Sequence, residues 1–323
     1  MRNKYILIFS ILLIFTCILA TNNELIPKLS AKDPLPLIAI ANYGPHSSLD
    51  QSISGIKSEL ALQGYIEHKN IEYMVVDVGF DTSLIPQMIA NLKTKHPKVI
   101  VAQATPVAQF AKHAIKDTPL VFTAITDPVA AGLQDISGSS DRQDLRAMLQ
   151  FSKLLMPKAK RVGLLYSTAE MNDLALVTMM KKAIALEDMQ LLCIPVEHAR
   201  DVPLRMQAFR DKVDIIYVGV SGVVQPSLPA IAANAKKMGI AVFNADSAAV
   251  IQGQVLASFG VNYQAVGMNA GKLVAQVLRG DETYKNKLIY PSLDDHIGFV
   301  SLATAKELGL KIPTGLANVM VVE

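Results

Sequence analysis

Residues 99–133 read VIVAQATPVAQFAKHAIKDTPLVFTAITDPVAAGL, and this stretch decides the fold. A buried apolar run, a polar turn, a helix-period segment, a second apolar run and a second polar turn follow one another. The first turn holds Thr105-Pro106 and the second Thr126-Asp127-Pro128. Proline suits the first turn of a helix, where its missing N–H would be unpaired in any case, and a Thr or Asp just before it can cap the helix. The pattern therefore predicts a helix N-terminus opening where a strand ends. In an open parallel sheet that is where ligands sit, and free N–H groups there favour an anion such as a carboxylate.

The same alternation extends in both directions. Strands are predicted at 37–42, 71–78, 120–122, 162–166, 191–195, 215–220, 241–243, 256–261 and 298–302. Between them lie helical patterns: one carrying Leu49, Ile53, Ile56 and Leu60 that ends at Gly64, and one opened by Thr82 and carrying Leu84, Ile85, Met88, Ile89 and Leu92. Further patterns cover 145–155, 173–189, 230–238 with Gly239 as its stop, 263–279 with Gly280 as its stop, and 303–308. Apolar strands buried on both faces and separated by helices predict an α/β protein with parallel sheets. About ten strands in two similar series favour two doubly wound, Rossmann-like lobes over a single barrel, which needs eight regular units. The polar stretch 135–144 (DISGSSDRQD) reads as the first crossing between lobes, and 281–295 as a connector.

Composition agrees. Of 323 residues, 51% are hydrophobic and 18% charged, which permits a large core and argues against disorder. Arg2 and Lys4 precede an apolar run from Tyr5 to Ala20, with Thr21-Asn22-Asn23 beyond. This is the pattern of a secretory signal, with cleavage expected after Ala20; the run is short for a span of ~20 residues. An uncleaved anchor and lipidation at Cys17 are the alternatives. Residues 21–36 read as a linker. Removing Arg2 and Lys4 takes the formal charge from +3 to +1, which argues against nucleic acid as a partner. Only Cys193 then remains, so no internal disulfide is expected.

Strand ends supply the candidate site. The first series offers Asn42, Tyr43, His46, Thr105, Thr123, Thr126 and Asp127; the second offers Tyr166, Glu170, Asn172, Ser221 and Asp246. Hydroxyls, amides and a few acids hold a small polar ligand by hydrogen bonds. Taken singly, Thr105, Asp127 and Asn172 read equally well as helix caps, and Tyr43 and Tyr166 as packing residues. Glu170 and Asp246 are acids beside apolar strands and need partners: a ligand ammonium or a neighbouring N–H.

Enzyme signatures are largely missing. Gly219-Val220-Ser221-Gly222 does not complete a nucleophile elbow, and neither phosphate-binding glycine motif is present. The six histidines are scattered and no cysteine pair accompanies them, so neither a metal nor a cofactor is expected. His46, on a ligand-side loop, is the histidine to watch.

The phrases VAQATPVAQFA, PLVFTAITDPVAAGL, KRVGLLYSTAEMN, VDIIYVG and ELGLKIP resemble the ABC transporter substrate-binding protein family that includes tryptophan- and tyrosine-binding members. The resemblance runs from about Leu37 to Pro313. It implies a type I periplasmic-binding-protein fold, with two lobes, three crossings (near Ser137-Gly138, Val261-Asn262 and 290–297) and a ligand cleft between them. Lobe one would comprise 37–137 and 262–289, and lobe two 138–261 and 290–323. Thr105, Thr123, Thr126 and Asp127 would face the ligand from lobe one; Tyr166, Glu170, Asn172 and Asp246 would do so from lobe two.

The chain also departs from the family pattern. Val220-Ser221-Gly222 stands where Thr-Asp-Asn is frequent, Ser167-Thr168 where Asn-Pro is usual, Asn262 where Asp is common, and Ala248-Ala249 in place of a polar pair. An aromatic amino acid is therefore not to be assumed as ligand. The resemblance implies an exported, monomeric solute-binding protein. Its partners would be a small-molecule ligand and an ABC permease with a cytoplasmic ATPase. A ligand sensor signalling to a membrane partner, and an exported enzyme, are the alternatives.

Overall fold

The computed structural model describes residues 34–316 and 318–323. The expected signal segment, and the expected linker up to residue 33, lie outside the described residues.

In chain order the elements of the first half are β1 (Leu37–Asn42), α1 (Ser47–Leu62), β2 (Glu72–Asp77), α2 (Ile85–Lys93), β3 (Val99–Gln103), α3 (Thr105–Ala114), β4 (Leu120–Ile125), β5 (Ser137–Ser140) and α4 (Leu145–Leu155). There follow β6 (Arg161–Tyr166), α5 (Met171–Leu186), β7 (Gln190–Pro195), α6 (Val202–Arg205), β8 (Ile215–Val218), α7 (Leu228–Met238), β9 (Ala241–Asn244) and α8 (Ala248–Ile251). The chain ends with β10 (Ala257–Val261), α9 (Tyr263–Arg279), β11 (Leu288–Ile289), β12 (His296–Ser301), α10 (Leu302–Glu307) and β13 (Val319–Val322).

Two sheets result, as the alternation predicts. The first has the order β11-β5-β4-β3-β1-β2 and is parallel throughout. The second has the order β13-β12-β10-β9-β8-β6-β7 and is parallel except where β10 meets β12. Each sheet carries an apolar cluster on both faces, so its central strands are buried on both sides; every residue of β3, β8 and β9 is buried. This is the two-lobed α/β class.

Several local readings change. Ser137–Ser140 was expected as part of a crossing, but pairs with β4 and β11 as a strand of the first sheet. The first crossing therefore lies at 141–144. The sequence SGSS carries no apolar signal because Phe122 covers it: a Cβ at Gly138 would stand 2.3 Å from that ring. Thr82 does not cap α2. Asp81 caps a short 3-10 turn, Thr82–Leu84, and α2 follows from Ile85. No helix opens after Thr126-Asp127-Pro128, where the chain makes a turn. The connector at 281–295 contains β11, and β13 was not foreseen. Among the described residues, no helix is long and apolar enough to cross a membrane.

Helices α1 and α9 cover one face of the first sheet and approach each other unusually closely. A Cβ at Gly267 would lie 1.9 Å from the Ser52 carbonyl oxygen, one at Gly55 2.1 Å from the Gln264 carbonyl oxygen, and one at Gly271 2.8 Å from the Glu59 Cβ. Three glycines thus set the helix separation. This contact also positions the N-terminus of α1, which reaches the facing edges of the two sheets.

The three crossings are held together by His296. Its Nδ1 donates to the Ser292 carbonyl (2.8 Å), and its Nε2 accepts the Asp144 N–H (3.0 Å). Its backbone pairs with Val261. One residue thus touches segments of all three crossings, by its ring and its backbone, with the ring stacked on Phe259 at 5.7 Å.

Candidate functional site

Because both sheets are mainly parallel, their strands deliver loops to one edge each, and the two edges face one another. A cavity of about 60 Å³ lies between them. One wall comes from the first lobe: Tyr43, His46, Leu49, Phe80, Ala104, Thr105, Ala124, Thr126. The other comes from Asn172, Val220, Ser221, Gly222 and Gln225. Asp141 and Tyr263, beside two of the crossings, close the inner end.

The first-lobe wall is strained. Ala104 (φ 73°) ends β3, and Ala124 (φ 56°) sits in a bulge of β4 between Thr123 and Ile125. A non-glycine residue at such φ costs on the order of 1–3 kcal/mol and persists where surroundings impose it, often at ligand sites. Ala104 is the residue before α3, and its methyl offers no cap, so the helix start lacks any side-chain cap. Thr105 follows it at N1 rather than capping. Pro106 has no N–H, so the unsatisfied donors at this start belong to Thr105 and Val107.

Two hydrogen bonds to carboxylates cross the cleft, and a third joins His46 to Gln225. The Tyr43 hydroxyl donates to Glu170 Oε1 (3.0 Å), and the Ser47 hydroxyl donates to Asp246 Oδ2 (2.5 Å). His46 accepts the Ser48 N–H at the start of α1, and its Nε2 lies 3.5 Å from Asp246 and 3.4 Å from Gln225 Nε2. Gly222 makes the first bond possible: a Cβ there would stand 2.5 Å from the Tyr43 ring and 2.6 Å from Glu170 Oε1. Burial and the Glu170 carboxylate push the Tyr43 phenol well up, so it stays a donor.

The acids differ in how well they are held. Glu170 Oε2 accepts the Gly222 N–H (2.9 Å) and lies 3.4 Å from the Ser221 hydroxyl oxygen, whose proton goes to Asp173. Asp246 Oδ1 accepts the Ala248 N–H (3.0 Å). Asp173, behind the wall, accepts from the Ser167 N–H (2.6 Å) and the Ser221 hydroxyl (2.8 Å). Its burial and the neighbouring Glu170 charge push its carboxyl up to about 8. A carboxyl raised above its ordinary 3.8 favours the folded state while protonated. That stability is lost as pH rises from about 4 through about 8, because the native state binds the extra proton. Asp173→Asn is expected to flatten the decline in urea midpoint between pH 5 and pH 8.5; an unchanged slope would remove Asp173 as its source.

Of the residues expected from the sequence, Tyr43, His46, Thr105, Thr126, Asn172 and Ser221 line the cavity, and Glu170 and Asp246 adjoin it through Tyr43 and Ser47. The other four are placed elsewhere. Asn42 turns back to the Gly44 carbonyl. Thr123 faces α1, its hydroxyl 3.0 Å from that of Ser52. Asp127 caps its own turn and pairs with Arg142 at 2.6 Å. Tyr166 packs against the core of the second lobe. The lining residues that the sequence reading did not pick are Asp141, Tyr263, Gln225, Phe80 and Leu49. No group of three or more potential metal ligands occurs among the described residues.

Comparison with known proteins agrees with this geometry. Residues 37–320 match the model of the ABC transporter substrate binding protein family, and the chain belongs to that family. It is 29% identical over 251 residues to the tyrosine-binding protein of Clostridioides difficile, covering 75% of this chain and 72% of that protein. A Streptococcus pneumonia ABC domain crystallised with L-Trp is 25% identical with a TM-score of 0.83, over 90% of this chain and 100% of the other. A ligand-free, open structure of a substrate binding protein with adhesive properties from Clostridium difficile is 27% identical with a TM-score of 0.69, over 90% and 99% of the two chains.

Proposed function

We propose that this protein captures an amino acid with an apolar or aromatic side chain in the cleft between its lobes. It then hands the ligand to a membrane permease coupled to a cytoplasmic ATPase, working as a monomer outside the cytoplasm. The carrying observation is the composition of the cavity. Both lobes supply its walls, Tyr43, Leu49 and Phe80 give it an apolar side, and the uncapped start of α3 gives it donors suited to a carboxylate.

Hinge closure is the mechanism we assign. Both lobes wall the cavity, and hydrogen bonds join them across it, so the lobes part to load it. The cross-lobe bonds from Tyr43 and Ser47 then reform around the ligand, whose contacts with both lobes favour the shut arrangement. The closer match to the L-Trp complex than to the open relative supports this reading.

A thermal-shift screen against amino acids, sugars and nucleosides tests the ligand class. A ligand bound only by the folded protein adds ~2.7 kcal/mol of stability at a hundred times its dissociation constant. An aromatic or large apolar amino acid is expected to give the largest shift. A shift from sugars alone would overturn the proposal.

A further inference from the structure

We propose that Asp141 receives the ammonium group of the ligand, a role that Glu170 and Asp246 do not fill. The inference rests on the proposed amino-acid ligand and names the residue that selects it.

The argument is a count of hydrogen bonds. A carboxylate offers about four acceptor sites. Both oxygens of Glu170 and both of Asp246 already accept hydrogen bonds from the protein, including the two that span the cleft. Asp141 is different. It is 2% exposed and lines the cavity; one oxygen accepts the Tyr263 hydroxyl at 2.8 Å, while Oδ1 has no hydrogen-bond partner. A buried acceptor left unpaired is costly, and an ammonium in the cavity would satisfy it.

Its surroundings suit the task. No Lys, Arg or His pairs with Asp141 among the described residues; the adjacent Arg142 is turned to Asp127 and the Tyr290 ring. Tyr263 on α9 holds the carboxylate, and burial, with the Asp141 charge nearby, pushes up the phenol of Tyr217 on β8. Burial pushes the Asp141 carboxyl up to about 6, against the pull of the Tyr263 and Thr126 hydroxyls, although Thr126 makes no hydrogen bond of good geometry to it. The charge is thus held in a place where the protein alone does not fully stabilise it. Asp141 also stands at the inner end of the cavity, the same cavity that the start of α3 lines, so a zwitterion can meet both.

The test is calorimetric titration of L-tyrosine and L-tryptophan, and of the analogue of each with hydrogen in place of the ammonium, into the full chain and its Asp141→Asn variant. The variant is expected to weaken both amino acids by about 100-fold and to leave the weaker binding of the analogues unreduced. Unliganded, it should melt no lower than the wild type, since it loses a buried charge. The wild type supplies a second measurement. Amino-acid affinity should fall about tenfold per pH unit below pH 6, where the carboxyl must shed a proton to bind, and this slope should vanish in the variant. His46, Asp246, Glu170 and Asp173 are the other ionisable groups facing the cleft, and a slope that survives in the variant belongs to them and overturns the assignment. Equal amino-acid binding by both proteins, or equal loss of amino acid and analogue, also overturns it and leaves the proposed function standing. A wild type that binds no amino acid refutes the proposed function itself.

Discussion

Replacing Gly267 with alanine lowers the unfolding free energy by about 3 kcal/mol, the upper part of the range for overpacking a tight interface. Helix propensity alone gives the opposite sign, since Ala is favoured over Gly by roughly 1 kcal/mol in a helix interior. The contact decides. The new methyl would sit 1.9 Å from the Ser52 carbonyl oxygen, a backbone atom that cannot swing aside as a side chain would. Helix α9 must shift from α1, and both cover Val101 and Val121 in the same apolar cluster through Ile56, Leu60, Ala270 and Val274. Urea unfolding measures the effect, and a gain in stability would show that the helices separate freely. Ligand affinity should fall with stability, because α1 carries His46, Ser47 and Leu49 to the cleft.

Glu170→Ala reduces ligand affinity by about 100-fold while leaving the fold intact. Glu170 bridges the two sides of the cleft: its carboxylate accepts from Tyr43 across it and from the Gly222 N–H on its own side. Hydrogen bonds to a charged group contribute ~1.5–3 kcal/mol each, and the alanine leaves a buried phenol and a buried N–H unpaired. Tyr43→Phe removes only the cross-cleft bond and should cost about tenfold. In a double-mutant cycle the two changes are expected to be strongly non-additive, since they share that bond. Additive losses would mean that Tyr43 and Glu170 act separately and that the bond does not hold the lobes shut. Glu170→Ala also removes the charge beside Asp173, so the Asp173 carboxyl should move down towards its ordinary range.

Where the sequence carried a period and a stop, it was legible to within a few residues, and in two helices to the residue. Helix α9 runs Tyr263–Arg279 with Gly280 at φ 70°, and α4 runs Leu145–Leu155 behind its Asp144 cap, as read from the spacing. What failed was local structure imposed by tertiary neighbours. Four small residues become β5 because Phe122 leaves room for nothing larger. Ala104 becomes the last residue before α3 at a φ that alanine rarely adopts. The miss at β5 had a cost at the site. Asp141 is the residue directly after that strand, in the position that singled out Tyr43 after β1 and Thr126 after β4. A reader who recognised SGSS as a strand would have found it by the same rule. Tyr166 erred in the other direction: it ends a strand but turns to the core, a choice that strand-end position alone does not reveal.

The His296 ring has a mechanical consequence. Three separate chain passages between two bodies leave room for sliding as well as turning. Here both ring nitrogens are bound, one to the backbone of the first passage and one to that of the third, and β12 is laddered to β10 beside them. Translation of the first or second passage past the third would break the Asp144–His296 bond or the Val261–His296 pairing, whereas torsion spread over all three keeps them. In the closure proposed above, the lobes would turn like plates on a single torsion bar, with one soft coordinate, and Asp141 and Tyr263 stand beside the passages that form it.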